Sequence, residues 1–259
     1  IVWTENGRIM CGTDIHGIFA WDRDFDGPVQ IDTIQEGKIY SMIESMPGRC
    51  VISAGNDKRL YVWELGKETD DVKCIQQIES GHADPIRDLV LVPEKCGIVS
   101  AANDGRLLFR FLSSNMRELS DAYIQLQPHH HDFIYSVTLT GNWKYIISGS
   151  TDSSVGVWDA SLLKFLTSGK DHDSFVWDVS ASPAINNAYY IASASSDGTL
   201  RIWDVSDINA SDGLLSVGTF EVLANISLVD CDFSTANIED KTLLNLIVMN
   251  GGIIKNELL

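Results

Sequence analysis

Five stretches of this chain close on the same pattern. They run Asp14-Ile-His-Gly-Ile-Phe-Ala-Trp-Asp22, Asp57-Lys-Arg-Leu-Tyr-Val-Trp-Glu64, Asp104-Gly-Arg-Leu-Leu-Phe-Arg-Phe111, Asp152-Ser-Ser-Val-Gly-Val-Trp-Asp159 and Asp197-Gly-Thr-Leu-Arg-Ile-Trp-Asp204. The closing positions Trp21, Trp63, Arg110, Trp158 and Trp203 are spaced 42, 47, 48 and 45 residues apart. A unit in the forties is too short to bury a core alone, so neighbouring units must stack and share one. The runs Tyr145-Ile-Ile-Ser-Gly-Ser and Tyr190-Ile-Ala-Ser-Ala-Ser are short, β-rich and bounded by Asp-Gly, Asn-Asp or Asp-Ser turns. No window holds a helical period over about 12 residues. The pattern predicts an all-β chain built from four-stranded antiparallel blades.

Further positions repeat in register. A serine stands four residues before each turn aspartate: Ser53, Ser100, Ser148 and Ser193 before Asp57, Asp104, Asp152 and Asp197. Upstream, His82, His130 and His172 each precede an inner-strand apolar residue, Ile86, Ile134 or Val176, by four. These residues resemble the WD-repeat β-propeller family, and the resemblance covers nearly the whole chain. It implies that His, Ser, Asp and Trp of one blade form a hydrogen-bonded tetrad, which would pair buried polar groups and pin a loop to the strands. Two sets are complete in sequence: His130, Ser148, Asp152, Trp158 and His172, Ser193, Asp197, Trp203. The third unit has Arg110 in place of tryptophan, the second has Gln35 in place of histidine, and the first has Cys11 at the serine position.

Leu228–Ser234 and Leu244–Ile254 read as strands of a further unit, and Val2–Gly7 as the end of an inner strand and its turn. Six blade units are therefore expected in one domain spanning 1–259. The resemblance implies a ring most often of seven blades, closed by first and last strands sharing a blade. The chain begins at Ile1 and shows neither feature, so it is expected to be incomplete at one or both ends, or open and completed by a partner.

Composition narrows the function. With 19 basic and 36 acidic residues the formal charge is −17. Such a surface repels phosphate backbones over about 8 Å at physiological salt, which disfavours nucleic acid as the main partner. No run approaches the roughly 18 apolar residues of a membrane helix. Five cysteines without a Cys-x-x-Cys pair read as small buried apolar groups in a reducing cytoplasmic or nuclear compartment. The His/Asp/Ser sets mimic a nucleophilic triad, but they recur in each unit, whereas catalysis needs one constellation. His129-His130-His131-Asp132 could suggest a metal, yet adjacent side chains on extended chain point in alternating directions. Phosphate-binding glycine loops and the Gly-x-Ser-x-Gly elbow are absent from the sequence. No enzyme, metal or cofactor is expected.

The working surface is expected where the inner strands begin. Before the first core residue of each lie Lys38, Pro85, Phe133 and Phe175; after it lie Tyr40, Arg87, Tyr135 and Trp177. In the family that these repeats resemble, such positions line the top face that grips partner peptides. Aromatic residues and arginine also anchor protein interfaces. The candidate partner-binding residues are thus Lys38, Tyr40, Arg87, Phe133, Tyr135, Phe175 and Trp177, with Asn56, Asn103, Thr151 and Ser196 near the same rim. Arg110 is expected to pair with an acidic neighbour or to mark a second docking surface. The expected function is a non-catalytic scaffold that holds a partner peptide within a multiprotein complex. The alternative is a structural subunit whose open propeller an obligate partner completes, as in coat or trafficking assemblies.

Overall fold

Central segments such as Cys50-Val-Ile-Ser-Ala-Gly carry small or apolar residues on both faces, whereas the segment closing the same unit, Val72–Glu79, alternates. The first pattern suits a strand covered on both sides, the second a strand with one wet face. The computed structural model describes residues 1–14, 17–21, 27–31, 35–68, 71–184, 188–206, 208, 214 and 216–221. All six residues of Cys50–Gly55 are buried in it, and Val72–Glu79 alternates between half-buried and exposed.

The described strands form five four-stranded sheets, each paired antiparallel in chain order. Blade one is β1 (Val2–Trp3), β2 (Ile9–Gly12), β3 (Ile18–Trp21) and β4 (Val29–Ile31). Blade two is β5 (Ile39–Met46), β6 (Cys50–Gly55), β7 (Arg59–Leu65) and β8 (Val72–Glu79). Blade three is β9 (Ile86–Val92), β10 (Gly97–Ala102), β11 (Leu107–Leu112) and β12 (Leu119–Gln125). Blade four is β13 (Ile134–Leu139), β14 (Tyr145–Ser150), β15 (Val155–Asp159) and β16 (Lys164–Gly169). Blade five is β17 (Val176–Ala181), β18 (Tyr190–Ser195), β19 (Thr199–Asp204) and β20 (Ser216–Glu221). Among the described residues a single 3-10 turn, Pro93–Lys95, interrupts the strands. Among the described residues no helix is long and apolar enough to cross a membrane. The strands expected at Leu228–Ser234 and Leu244–Ile254 lie outside the described residues.

First strands pack in succession, β5 against β9, β9 against β13 and β13 against β17, which makes them the innermost strands of the propeller. The core lies between blades. Val51 points back into a cluster with Met10 and Ile18 of blade one, while its neighbour Ile52 points forward to Ile86 and Leu89 of blade three. Two further clusters join blades three to four and four to five. The residue after each tetrad serine must be small, because the next innermost strand passes over it. A Cβ on Gly12 would lie 2.4 Å from Ile39 Cγ2, and one on Gly149 2.7 Å from Val176 Cγ1. Ala54, Ala101 and Ala194 fill the same position in the other blades.

Candidate functional site

The turn aspartates organise the rim of each blade. In blade five His172 Nδ1 lies 2.8 Å from Asp197 Oδ2 and Nε2 2.6 Å from Ser193 Oγ, which also accepts the Trp203 indole N–H at 2.8 Å. This tetrad closes. In blade four His130 reaches Asp152 at 2.9 Å and Ser148 at 2.7 Å, but the indole of Trp158 donates instead to the Gln127 carbonyl at 3.0 Å. The expected link from Trp158 to Ser148 is therefore corrected. The indole sits among the rings of His129 and Phe165, 6.2 and 5.4 Å away, and that packing is accompanied by a main-chain acceptor rather than the serine. In blade two Gln35 Oε1 accepts from Ser53, which accepts in turn from Trp63, so an amide stands in for imidazole.

Burial alone would lift the carboxyls of Asp104, Asp152 and Asp197. Hydrogen bonds from histidine, from main-chain N–H groups, and from Arg106 at Asp104 or a hydroxyl at Asp152 and Asp197, outweigh it and hold all three well below the usual carboxylate range. The sets share the connectivity of a nucleophilic triad, but Ser148 and Ser193 are fully buried, and the Trp203 indole also occupies Ser193. Their chemistry is that of pinned loops.

Arg110 neither pairs with a carboxylate nor marks a docking surface. It is 2% exposed, and its guanidinium donates to the carbonyls of Ser120, Asp121 and Glu79 at 2.6–2.7 Å beneath the ring of Tyr123. It joins the outer strand of its own blade to the end of β8 in the blade before. Burial of the site lowers its pKa, and main-chain acceptors take the place of a counter-ion.

The rim positions of the four blades are locked alike. The main-chain N–H groups of Asn56, Asn103, Thr151 and Ser196 donate to the carbonyls of Lys38, Pro85, Phe133 and Phe175 at 2.8–3.0 Å. Immediately afterwards each innermost strand carries a register shift, at Ile39/Ser41, opposite Arg87, at Ile134/Ser136 and at Val176/Asp178. The residue left out of register is Tyr40, Arg87, Tyr135 or Trp177, and such a bulge re-aims its side chain. The result is a continuous stack across four blades. The Arg87 guanidinium carbon lies 4.3 Å from the Tyr40 ring centroid and 4.9 Å from that of Tyr135, and Tyr135 lies 4.7 Å from Trp177. Phe133 and Phe175 flank it edge-on at 6.5 and 6.1 Å, and both stay exposed, as does Trp177. Asn103 accepts from Arg87 Nε at 2.7 Å and Ser196 from the Trp177 indole. Lys38 stands at the far end, paired on the surface with Asp14 at 2.8 Å.

Beneath this stack lies a polar belt that sequence reasoning missed. Ser41, Asp88, Ser136 and Asp178 follow the bulged residues in the four blades. Asp88 accepts from Ser41 at 2.9 Å and from the main-chain N–H groups of Leu89 and Val137; Ser136 donates its one proton to Asp178 at 2.7 Å, with its Oγ 3.3 Å from Asp88. Burial pushes the Asp88 carboxyl up. The alternation Ser, Asp, Ser, Asp at a fixed offset was the available signal.

The three adjacent histidines diverge. His130 serves its tetrad, His129 stacks on Phe165 at 4.0 Å with burial pushing its pKa down to about 4, and His131 is exposed. No three or more metal-ligating side chains converge among the described residues. His129, His131, Asp152 and Lys170 line a cleft of about 250 Å³ between blades four and five.

A family model described as WD domain, G-beta repeat, matches residues 123–159 and 163–204. Each match starts on the outermost strand of one blade and ends on the third strand of the next, so a sequence repeat bridges two blades. The matched stretches hold both complete sets of His, Ser, Asp and Trp. The two matched stretches are similar to WD repeats, and the five four-stranded antiparallel sheets formed by the described residues are arranged as blades of a β-propeller.

Proposed function

We propose that the chain is a non-catalytic scaffold whose top face, built from Lys38, Tyr40, Arg87, Phe133, Tyr135, Phe175 and Trp177, holds a linear segment of a partner protein within a larger complex. WD repeats in general mediate protein–protein interaction. The observation that carries the specific reading is the unbroken stack Tyr40, Arg87, Tyr135, Trp177. Four consecutive blades present, through the same bulge, the residue types that anchor interfaces, and they surround it with main-chain locks that limit reorganisation on binding. Neither Phe133 nor Phe175 is needed for the core, since both remain at least 40% exposed. A cytoplasmic or nuclear setting fits the free thiols of Cys11, Cys50, Cys74 and Cys96.

The test is affinity purification from native cells with quantitative mass spectrometry, run beside a Tyr135→Ala/Trp177→Ala variant that keeps the parent melting temperature. The expected outcome is a set of partners present with the parent chain and depleted at least tenfold with the variant. Retention of every partner by both forms would overturn the assignment of the top face.

A further inference from the structure

The top-face stack contains one cation with no ionic partner. Arg87 forms no salt bridge among the described residues, although Asp88 is its neighbour in sequence. Asp88 is unavailable because both its oxygens already accept, one from Ser41 and the Leu89 main-chain N–H and the other from the Val137 main-chain N–H. The guanidinium carbon lies over two rings from the neighbouring blades, Tyr40 at 4.3 Å and Tyr135 at 4.9 Å. Its Nε–H is committed to Asn103 at 2.7 Å. What remains is the terminal edge, where neither amino nitrogen has a hydrogen-bond partner or is among the buried unpaired polar atoms. A planar cation packed between two rings and held at Nε offers that edge in a restricted orientation, which matches the two oxygens of a carboxylate.

The surroundings set the sign and the size of the ligand. Lys38 at this end of the stack is already paired with Asp14 at 2.8 Å, so the charge left for a ligand here is that of Arg87, a cation within a chain of net charge −17. The other end, Phe133, Tyr135, Phe175 and Trp177, is aromatic. The exposed aspartates Asp84, Asp132 and Asp173 border the same rim and oppose a doubly charged phosphate more than a single carboxylate. From Arg87 the steps to Tyr135 and on to Trp177 are 4.9 and 4.7 Å, a span of about three residues of extended chain at roughly 3.3 Å each.

We propose that the terminal edge of Arg87, packed between Tyr40 and Tyr135, is a carboxylate-binding site, and that the partner segment carries a carboxylate with a large apolar side chain within about three residues of it. This rests on the top-face reading above. The carboxylate can come from an Asp or Glu side chain or from a chain terminus, and the two sources are separable.

The probe is a random nonapeptide library in three sets: blocked at both ends, free at the C-terminal carboxyl, and blocked with phosphoserine included. Binding to the whole chain is read by sequence enrichment, then by fluorescence anisotropy on selected peptides. The expected result is enrichment of Asp or Glu in the blocked set, or of binders in the free-acid set, with an apolar residue within three positions. Arg87→Gln and Arg87→Lys, each checked for an unchanged melting temperature, are then expected to weaken selected peptides about tenfold or more, as loss of a charge-assisted bidentate pair implies. Replacing the peptide's carboxylate by its amide is expected to cost the same, with no further loss on Arg87→Gln. Binders that depend on Tyr135 and Trp177 but show no acidic preference, or prefer Lys, Arg or phosphoserine, would overturn the carboxylate site and leave the top-face reading standing. Binding indifferent to both Arg87→Gln and Tyr135→Ala/Trp177→Ala, or absent from all three sets, would overturn both.

Discussion

At the scale of single residues, the two sets that look identical in sequence are energetically different. Ser193 accepts from Trp203 and bonds His172, so Ser193→Ala orphans two buried polar groups. Ser148 bonds His130 only, because the Trp158 indole has found the Gln127 carbonyl. Each orphaned group costs about 1–3 kcal/mol, so Ser193→Ala is expected to destabilise by about twice as much as Ser148→Ala. Denaturant unfolding of the two variants, compared at equal slope, checks this. The same logic explains why Arg110 is acceptable where its neighbours have tryptophan. A long side chain with several donors satisfies three carbonyls that an indole could not.

At the scale of the element, what matters is how closely one strand crosses the next. The innermost strand of each blade runs over the small residue that follows the tetrad serine, and at Gly149 nothing larger than hydrogen fits without moving Val176. Gly149→Val is expected to lower stability by about 2–3 kcal/mol or more, through overpacking at the boundary of blades four and five. Gly149→Ala is expected to cost less. Thermal unfolding followed by circular dichroism separates them. The bulge is the second device at this scale. It leaves the strand paired on either side while turning one side chain out of register toward the rim.

Across the whole molecule, three blades depend on carboxylates held below their ordinary range. The sign follows from that depression. Ionised Asp104, Asp152 and Asp197 contribute stability that is fully present above the unfolded value of about 4, and it is lost as pH falls from there toward their lower folded values. Asp88, whose carboxyl is pushed up, works in the opposite direction and partly offsets them. The melting temperature is therefore expected to fall steeply below pH 4, and an Asp197→Asn variant, though less stable at pH 7, is expected to show a shallower acid limb. Scanning calorimetry from pH 7 to pH 2.5 decides it. An equal acid limb in both proteins would mean that the tetrad carboxylates do not govern acid unfolding.

The repeat by itself determined the architecture: strand order, blade period, the turn aspartates, the buried serines and histidines, and the rim positions on either side of the first core residue. All of these are local or strictly periodic, so residue type and spacing carry them. Only the tertiary structure decided where Trp158 and Arg110 donate, because their acceptors lie 31, 10, 11 and 31 residues away on neighbouring segments. It alone joined Ser41, Asp88 and Ser136 into one belt, since these residues stand 47 and 48 positions apart and meet only when innermost strands pack side by side. It also set the one distinction that bears most on function. Sequence placed an arginine among aromatic residues, but the packing of Arg87 between Tyr40 and Tyr135 joins three consecutive blades and exists only once their innermost strands lie side by side.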